Sequence, residues 1–279
     1  MNKEHQKVFL IGAARSGTKI LRDVLATSGN IAAIPYDINY IWRWDNEFFP
    51  NDELTTDQYT AKTHQKIDNY LDSFRKNNEE FIIEKTVSNT IRIPFLLKHY
   101  PNAKFIYLYR NGHDVVESVM RQWTSISDKQ YLWNKMKTIP IPLLMNYGIK
   151  HFIRNLNKKN KQHYWGVNYP EMFESKKVER LEEIVANQWV YCLSKMMADK
   201  SLIPKNNLVE IHYENLVTNP TKELNKLNIL FNSTAISSEV ELDMIKKGNI
   251  GKSNQKLSKE QMEIIDPIIS DTVQLLKSQ

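Results

Sequence analysis

Val8-Phe9-Leu10-Ile11-Gly12-Ala13-Ala14-Arg15-Ser16-Gly17-Thr18 decides how the chain is read. Val8–Ile11 has the apolar run of a short buried strand, Gly12–Thr18 is a turn, and Ile20, Leu21, Val24 and Leu25 recur on one face of a following helix. Gly29-Asn30 marks the end of that helix. A strand, a glycine-containing turn and a helix make an anion site, because free backbone N–H groups and the positive end of the helix dipole converge there. The phosphate loop of nucleotidases reads G-x-x-x-x-G-K-[ST]. Gly12 and Gly17 keep that spacing, but Thr18 stands where the lysine belongs and Lys19 comes one residue late. A shift of one residue turns a helical side chain by about 100°, so Lys19 does not replace that lysine and an ATPase or GTPase reading weakens.

Moving outward, Ile31–Ile34 ends at Pro35, and Phe81–Ile83, Lys104–Tyr109 and Leu208–His212 carry the β-branched and aromatic residues of further strands. Residues 178–197 place Leu181, Ile184, Val185, Gln188, Trp189, Cys192 and Met196 at helical spacing. Strands alternating with helices predict an α/β fold, a parallel central sheet flanked by helices. Residues 36–70 and 123–175 show no clear period and read as insertions over the active-site face of a single domain spanning 1–279.

Composition narrows the class. Of the 279 residues, 41% are hydrophobic and 25% charged, as in an ordinary globular protein rather than a disordered one. The net charge of +6 favours an anionic partner, yet the lysines are dispersed and no basic-aromatic module for nucleic acid is present. Cys192 is the only cysteine, which excludes an internal disulfide and a multi-thiolate zinc site and fits a reducing compartment. The apolar run at Val8–Ala14 is minimal for a signal peptide and leads into Arg15-Ser16-Gly17. No stretch approaches the roughly 20 apolar residues of a membrane span, so a cytoplasmic location is expected.

Arg15-Ser16-Gly17-Thr18 resembles the 5'-phosphosulfate loop of sulfotransferases that use 3'-phosphoadenosine-5'-phosphosulfate (PAPS). A second segment, Phe105 to Ser118, resembles the family's 3'-phosphate-binding segment, in which an arginine at a strand end and a serine eight positions later grip the 3'-phosphate. Arg110 and Ser118 occupy those positions. Further matches are Glu84-Lys85-Thr86 with Asn89, Glu210 to Leu216 around Tyr213, and Asn249-Ile250-Gly251-Lys252. The resemblance runs from Val8 to Ile265 and implies the P-loop NTPase-like sulfotransferase fold. It implies PAPS as cosubstrate, bound by the Arg15–Lys19 loop, Arg110, Ser118, Tyr213, Gly251 and Lys252, with no metal required.

The resemblance also implies a mechanism. Arg15 and the Gly17–Thr18 amides would hold the 5'-phosphate and the departing oxygen, and Lys85 would neutralise the sulfonate oxygens. Small-molecule sulfotransferases carry a histidine as base after their Lys-Thr pair, but Val87 stands there. Carbohydrate and tyrosyl-protein sulfotransferases use a carboxylate just beyond the second strand, where Asp37 lies, so the chain looks closer to that branch. Asp37 is the expected base and Glu47 the runner-up. Trp42, Trp44 and Trp123 are candidate platforms for a sugar, which makes a saccharide or glycolipid the expected acceptor, with a small phenol or alcohol or a peptide tyrosine as alternatives. Two other functions compete: a P-loop kinase or NTPase, and a PAPS-binding protein without catalysis.

Overall fold

The computed structural model describes residues 5–77, 79–124, 139–140, 143, 166–170, 172, 180–232, 240–245, 248 and 250–277. Five strands are formed: β1 (Gln6–Ile11), β2 (Ile31–Ala33), β3 (Phe81–Glu84), β4 (Lys104–Tyr109) and β5 (Leu208–His212). They make one sheet in the order β2-β3-β1-β4-β5, and every neighbouring pair is parallel. Val8 pairs with Ile83 on one side of β1 and Phe9 with Phe105 near its other side.

The apolar run of β1 is continuous because both faces of the sheet are covered. Phe9 and Ile11 join a core with Phe105 and Tyr107, while Val8 and Leu10 join another with Ile106 and Leu108. Helix α1 (Thr18–Leu25) packs Leu21, Val24 and Leu25 into the second core. It ends at Ala26, ahead of the Gly29-Asn30 stop read from the sequence.

Parallel strands bring their C-terminal ends to one edge of the sheet. The chain leaves β1 towards β2 on one side and later returns through β4 on the other, which opens a crevice between β1 and β4 where ligands of α/β sheets bind. The turns after β1, β3 and β4 carry Gly12–Thr18, Lys85–Thr86 and Arg110.

Residues 36–70 are more regular than the sequence suggests. They hold a short helix α2 (Asn39–Trp42) and most of α3 (Ala61–Asp72), which starts at the Thr60 cap and buries Thr63, Ile67 and Leu71. Of residues 123–175, most lie outside the described residues. The other α-helices of the described residues, counted in chain order, are α4 (Ile93–His99) and α5 (Gly112–Thr124), which flank β4, and then α6 (Leu181–Asp199), α7 (Tyr213–Thr218), α8 (Pro220–Phe231), α9 (Ser253–Lys256) and α10 (Lys259–Lys277). Among the described residues, no helix is long and apolar enough to cross a membrane.

Candidate functional site

The turn after β1 is built tightly. Gly12 has φ 154°, and a Cβ there would lie 2.2 Å from the Leu108 carbonyl oxygen. The Thr90 hydroxyl holds the same residue, accepting the Gly12 N–H at 2.8 Å and donating to its carbonyl at 3.0 Å. Arg15 follows at φ 64° and Gly17 at φ 98°. Arg15 occupies the left-handed region without being glycine, a conformation that costs about 1–2 kcal/mol and is retained chiefly where function needs it. At Gly17 a Cβ would fall 2.4 Å from the Tyr213 ring, so only glycine lets the loop meet that ring. Helix α1 then begins with no side-chain cap on its first-turn amides. Ser16 is fully buried, and its Oγ has no hydrogen-bond partner among the described residues.

Arg110 leaves the end of β4 and lies across this turn. Its Nη1 donates to the Arg15 carbonyl at 3.1 Å, and its guanidinium stacks 4.5 Å from the Tyr213 ring centroid. Arg15 Nε in turn donates to Ser118 Oγ at 3.1 Å. The two phosphate segments recognised separately in the sequence are thus one hydrogen-bonded unit. Burial pushes the Arg15 pKa down, and the nearby charges of Arg121 and Arg110 add to that effect. Arg110 is buried while Arg15 and Arg121 reach the surface, and guanidiniums that repel one another in this way are stabilised by an anion placed among them.

Two acidic residues that the sequence reading passed over lie inside this cluster. Glu117 is buried and pairs with Arg121 at 2.9 Å. Asp114 is buried one turn beyond Arg110 and receives the Gly251 and Ser253 N–H groups at 2.8 and 2.9 Å, which brings the C-terminal loop to the site. The i, i+4 spacing of Arg110 and Asp114 was the available signal. Glu214 also joins, its carboxylate accepting the Asn111 N–H at 3.0 Å.

Lys19 is not part of this cluster. Its ammonium pairs with Asp23 at 3.0 Å on a side chain that is 65% exposed. His113 Nε2 lies 2.6 Å from Asp266 Oδ1.

A second group of polar side chains gathers around β3 and the turn after β2. Asp37 Oδ2 accepts the Val87 N–H and Oδ1 the Asn39 N–H, each at 3.2 Å, and the Lys85 ammonium lies 4.0 Å away. Its side chain is 31% exposed. Glu47 is only 7% exposed, which leaves Asp37 better placed to meet an incoming molecule. Behind Asp37, the Thr86 hydroxyl accepts the Ile38 N–H at 3.0 Å and donates to Glu84, which Asn89 also contacts. Burial raises the Glu84 pKa, the Thr86 hydrogen bond opposes that rise and the Asp37 charge reinforces it, leaving the group at about 7.

One of the three candidate tryptophan platforms changes role. Trp42 is fully buried, with its ring 5.5 Å from Phe9, because α2 turns it into the core rather than outward. Trp123 is half-buried against the same core. Trp44 is also half-buried and has the Lys66 ammonium 5.0 Å from its ring centroid.

Known proteins give the site its context. A model described as the sulfotransferase family matches residues 7–179, more than half of the 279 residues. A sulfotransferase from Mycobacterium avium is 11% identical with a TM-score of 0.55, covering 97% of this chain and 76% of that one. The sulfotransferase domain from the curacin biosynthetic pathway is 13% identical with a TM-score of 0.54, covering 97% of this chain and 98% of that one. At these identities the structures establish the fold. An uncharacterised protein from Aquifex aeolicus is 28% identical over 130 residues, 41% of this chain, which spans about 17% of that relative's length. The match over residues 7–179, with the same α/β fold, shows that the chain belongs to the sulfotransferase family.

Proposed function

We propose that the protein transfers a sulfonate group from PAPS to a hydroxyl or amine of an acceptor. The observation that carries this reading is the joining of Arg15, Arg110, Ser118 and Tyr213 in one cationic unit at the β1–β4 crevice. The residues present fit the nucleotide. The uncapped start of α1 and the buried Ser16 hydroxyl suit the 5'-phosphate, and Arg110 with Ser118 suits a 3'-phosphate. Gly251 and Lys252 are held beside them through Asp114.

PAPS supplies an activated sulfonate whose bridging oxygen departs with the 5'-phosphate. The chain's own groups then have separate tasks. Arg15 and the Gly17–Thr18 amides stabilise charge gathering on the departing oxygen, and Lys85 stabilises charge on the sulfonate oxygens. Asp37 takes the acceptor's proton as general base, and its two backbone donors fix the carboxylate before the acceptor arrives. Lys19, tied to Asp23, has no part in these steps.

The acceptor is a hydroxyl-bearing molecule met at Asp37. A saccharide or glycolipid is retained as its class, with the half-buried Trp44 and Trp123 rather than the buried Trp42 as candidates for a sugar face. Calorimetry with adenosine 3',5'-bisphosphate and AMP, each with and without magnesium, tests the nucleotide part. Tight, magnesium-independent binding of the bisphosphate and much weaker binding of AMP are expected. Equal affinities, or a requirement for magnesium, would favour a kinase or NTPase instead.

A further inference from the structure

Asp114 is 2% exposed, yet it performs no step in the chemistry above. Its Oδ2 accepts the Gly251 N–H at 2.8 Å, its Oδ1 accepts the Ser253 N–H at 2.9 Å, and Arg110 Nη2 lies 3.6 Å from Oδ2. Two parts of the chain that are far apart in sequence, residues 110–114 and 251–253, therefore meet at one carboxylate. Lys252 is the residue between the two donors, and Gly251 reaches its position at φ 70°, where a side chain is strained.

A carboxylate beside an arginine that is to hold a phosphate works against anion binding by simple Coulomb repulsion. Asp114 must therefore contribute something that outweighs its charge. Two backbone N–H groups aimed at its two oxygens give it the geometry of a clamp, and both bonds need an acceptor at each oxygen. Asparagine, with the same shape, offers one acceptor and turns an amide NH₂ towards the other N–H.

We propose that Asp114 is a positioning residue that makes the site selective for a 3'-phosphorylated nucleotide, by docking the Gly251–Ser253 loop against Arg110. This inference rests on the nucleotide reading above. Asp114 orients the Arg110 guanidinium from one side and holds the loop carrying Lys252 from the other, so both cationic residues are set before the nucleotide enters. Burial works to raise the Asp114 pKa, but the Ser253 and Gly251 amides with Arg110 outweigh it and keep the group below the ordinary carboxylate range. The clamp is accordingly charged at neutral pH.

The test is calorimetry of the full chain with adenosine 3',5'-bisphosphate and AMP on the wild type, Asp114→Asn and Ser253→Ala. The Ser253 hydroxyl also hydrogen-bonds the Asp114 carboxylate, so Ser253→Ala removes one bond to the clamp without altering the carboxylate or the Lys252 backbone. Both variants should lose bisphosphate affinity by about 10- to 100-fold, the range for a hydrogen bond to a charged group, with AMP affinity within about twofold of wild type. The double variant should lose little more than Asp114→Asn alone, because both changes act on one contact. Amide hydrogen exchange at Gly251 and Ser253 should quicken in Asp114→Asn while the sheet amides stay protected.

A gain in bisphosphate affinity in Asp114→Asn would overturn the proposal, since charge alone would then govern. Unchanged selectivity in both variants would overturn it as well. So would an equal loss for both nucleotides, which would mark Asp114 as a support of the fold. If the wild type binds the two nucleotides equally, the nucleotide reading itself fails and takes the proposal with it. Wild-type selectivity that survives both substitutions removes only the proposal.

Discussion

The two halves of the site are held by different means. On the β1–β4 side, Arg15, Arg110 and Tyr213 stand within a few residues of a strand end and Ser118 lies in the helix after β4, and two hydrogen bonds and one guanidinium–ring stack join them directly. On the β2–β3 side, Asp37 is fixed by Val87, 50 residues away, and the loop behind it depends on a buried web. Arg92 bonds Asn89 and Asn39, Asn39 bonds Asp52, and Asp52 receives Ser88 and the Asn168 N–H. The difference teaches that the half proposed to bind the nucleotide is set by local motifs on the sheet, whereas the half proposed to meet the acceptor is set by an insertion folded around buried polar groups. Insertions of that kind vary in length and sequence at little cost to the sheet, which makes them the natural place for acceptor choice.

The largest effect that separates the halves is expected at Asp37. Asp37→Asn should lower kcat by about 10²- to 10⁴-fold, the usual range for lost acid–base assistance, while bisphosphate affinity stays near wild type. Near-normal turnover would move the base elsewhere, and Glu47→Gln would then be the next variant to assay.

Arg110→Ala acts on the other half. It should weaken adenosine 3',5'-bisphosphate by about 2–4 kcal/mol and leave AMP nearly unchanged, because one phosphate loses one charged donor. A comparable loss for both nucleotides would mean that Arg110 supports the turn as a whole rather than the 3'-phosphate.

Glu84 offers a sharper test of the acceptor half, through stability. A folded-state pKa raised to about 7 means that the folded chain holds a proton that the unfolded chain has released. Stability therefore falls as pH rises from the unfolded carboxylate pKa through about 7. His99 works in the opposite sense: burial lowers its pKa from 6.5 to about 3, so its contribution is lost as pH falls below 6.5. Between pH 6.5 and 8 the Glu84 slope stands alone of the two. Glu84→Gln should flatten the decline of Tm in that window, and a parallel decline in the variant would show that Glu84 is not its source.

How much of this was legible beforehand follows the same division. Lys104–Tyr109 and Leu208–His212 were read to the residue because their strong β-formers are bounded by turn residues, although β4 is buried throughout and β5 only at Ile211. That Arg15, Arg110 and Ser118 belong together was legible because they stand at fixed distances from two strand ends, and the structure joins them by hydrogen bonds. Helix α3 was missed although Thr63, Ile67 and Leu71 keep a helical spacing, since the polar residues between them hide a narrow buried stripe. Trp42 was misplaced for a different reason. An aromatic residue in an acidic, aromatic loop looks exposed until α2 turns it onto Phe9, a contact no local pattern encodes. Asp114 was overlooked because its partners, Gly251 and Ser253, lie at the far end of the chain.

Sulfonate transfer itself is the most direct test of the central claim. Purified protein would be incubated with labelled PAPS and panels of saccharides, glycolipids, small alcohols and phenols, and tyrosine peptides, with product and adenosine 3',5'-bisphosphate measured together. The expected result is a labelled hydroxyl- or amine-linked product, formed in equal amount to the bisphosphate and lost in Asp37→Asn. Tight binding of the bisphosphate with no sulfonated product from any panel would contradict the account and leave a PAPS-binding protein without catalysis.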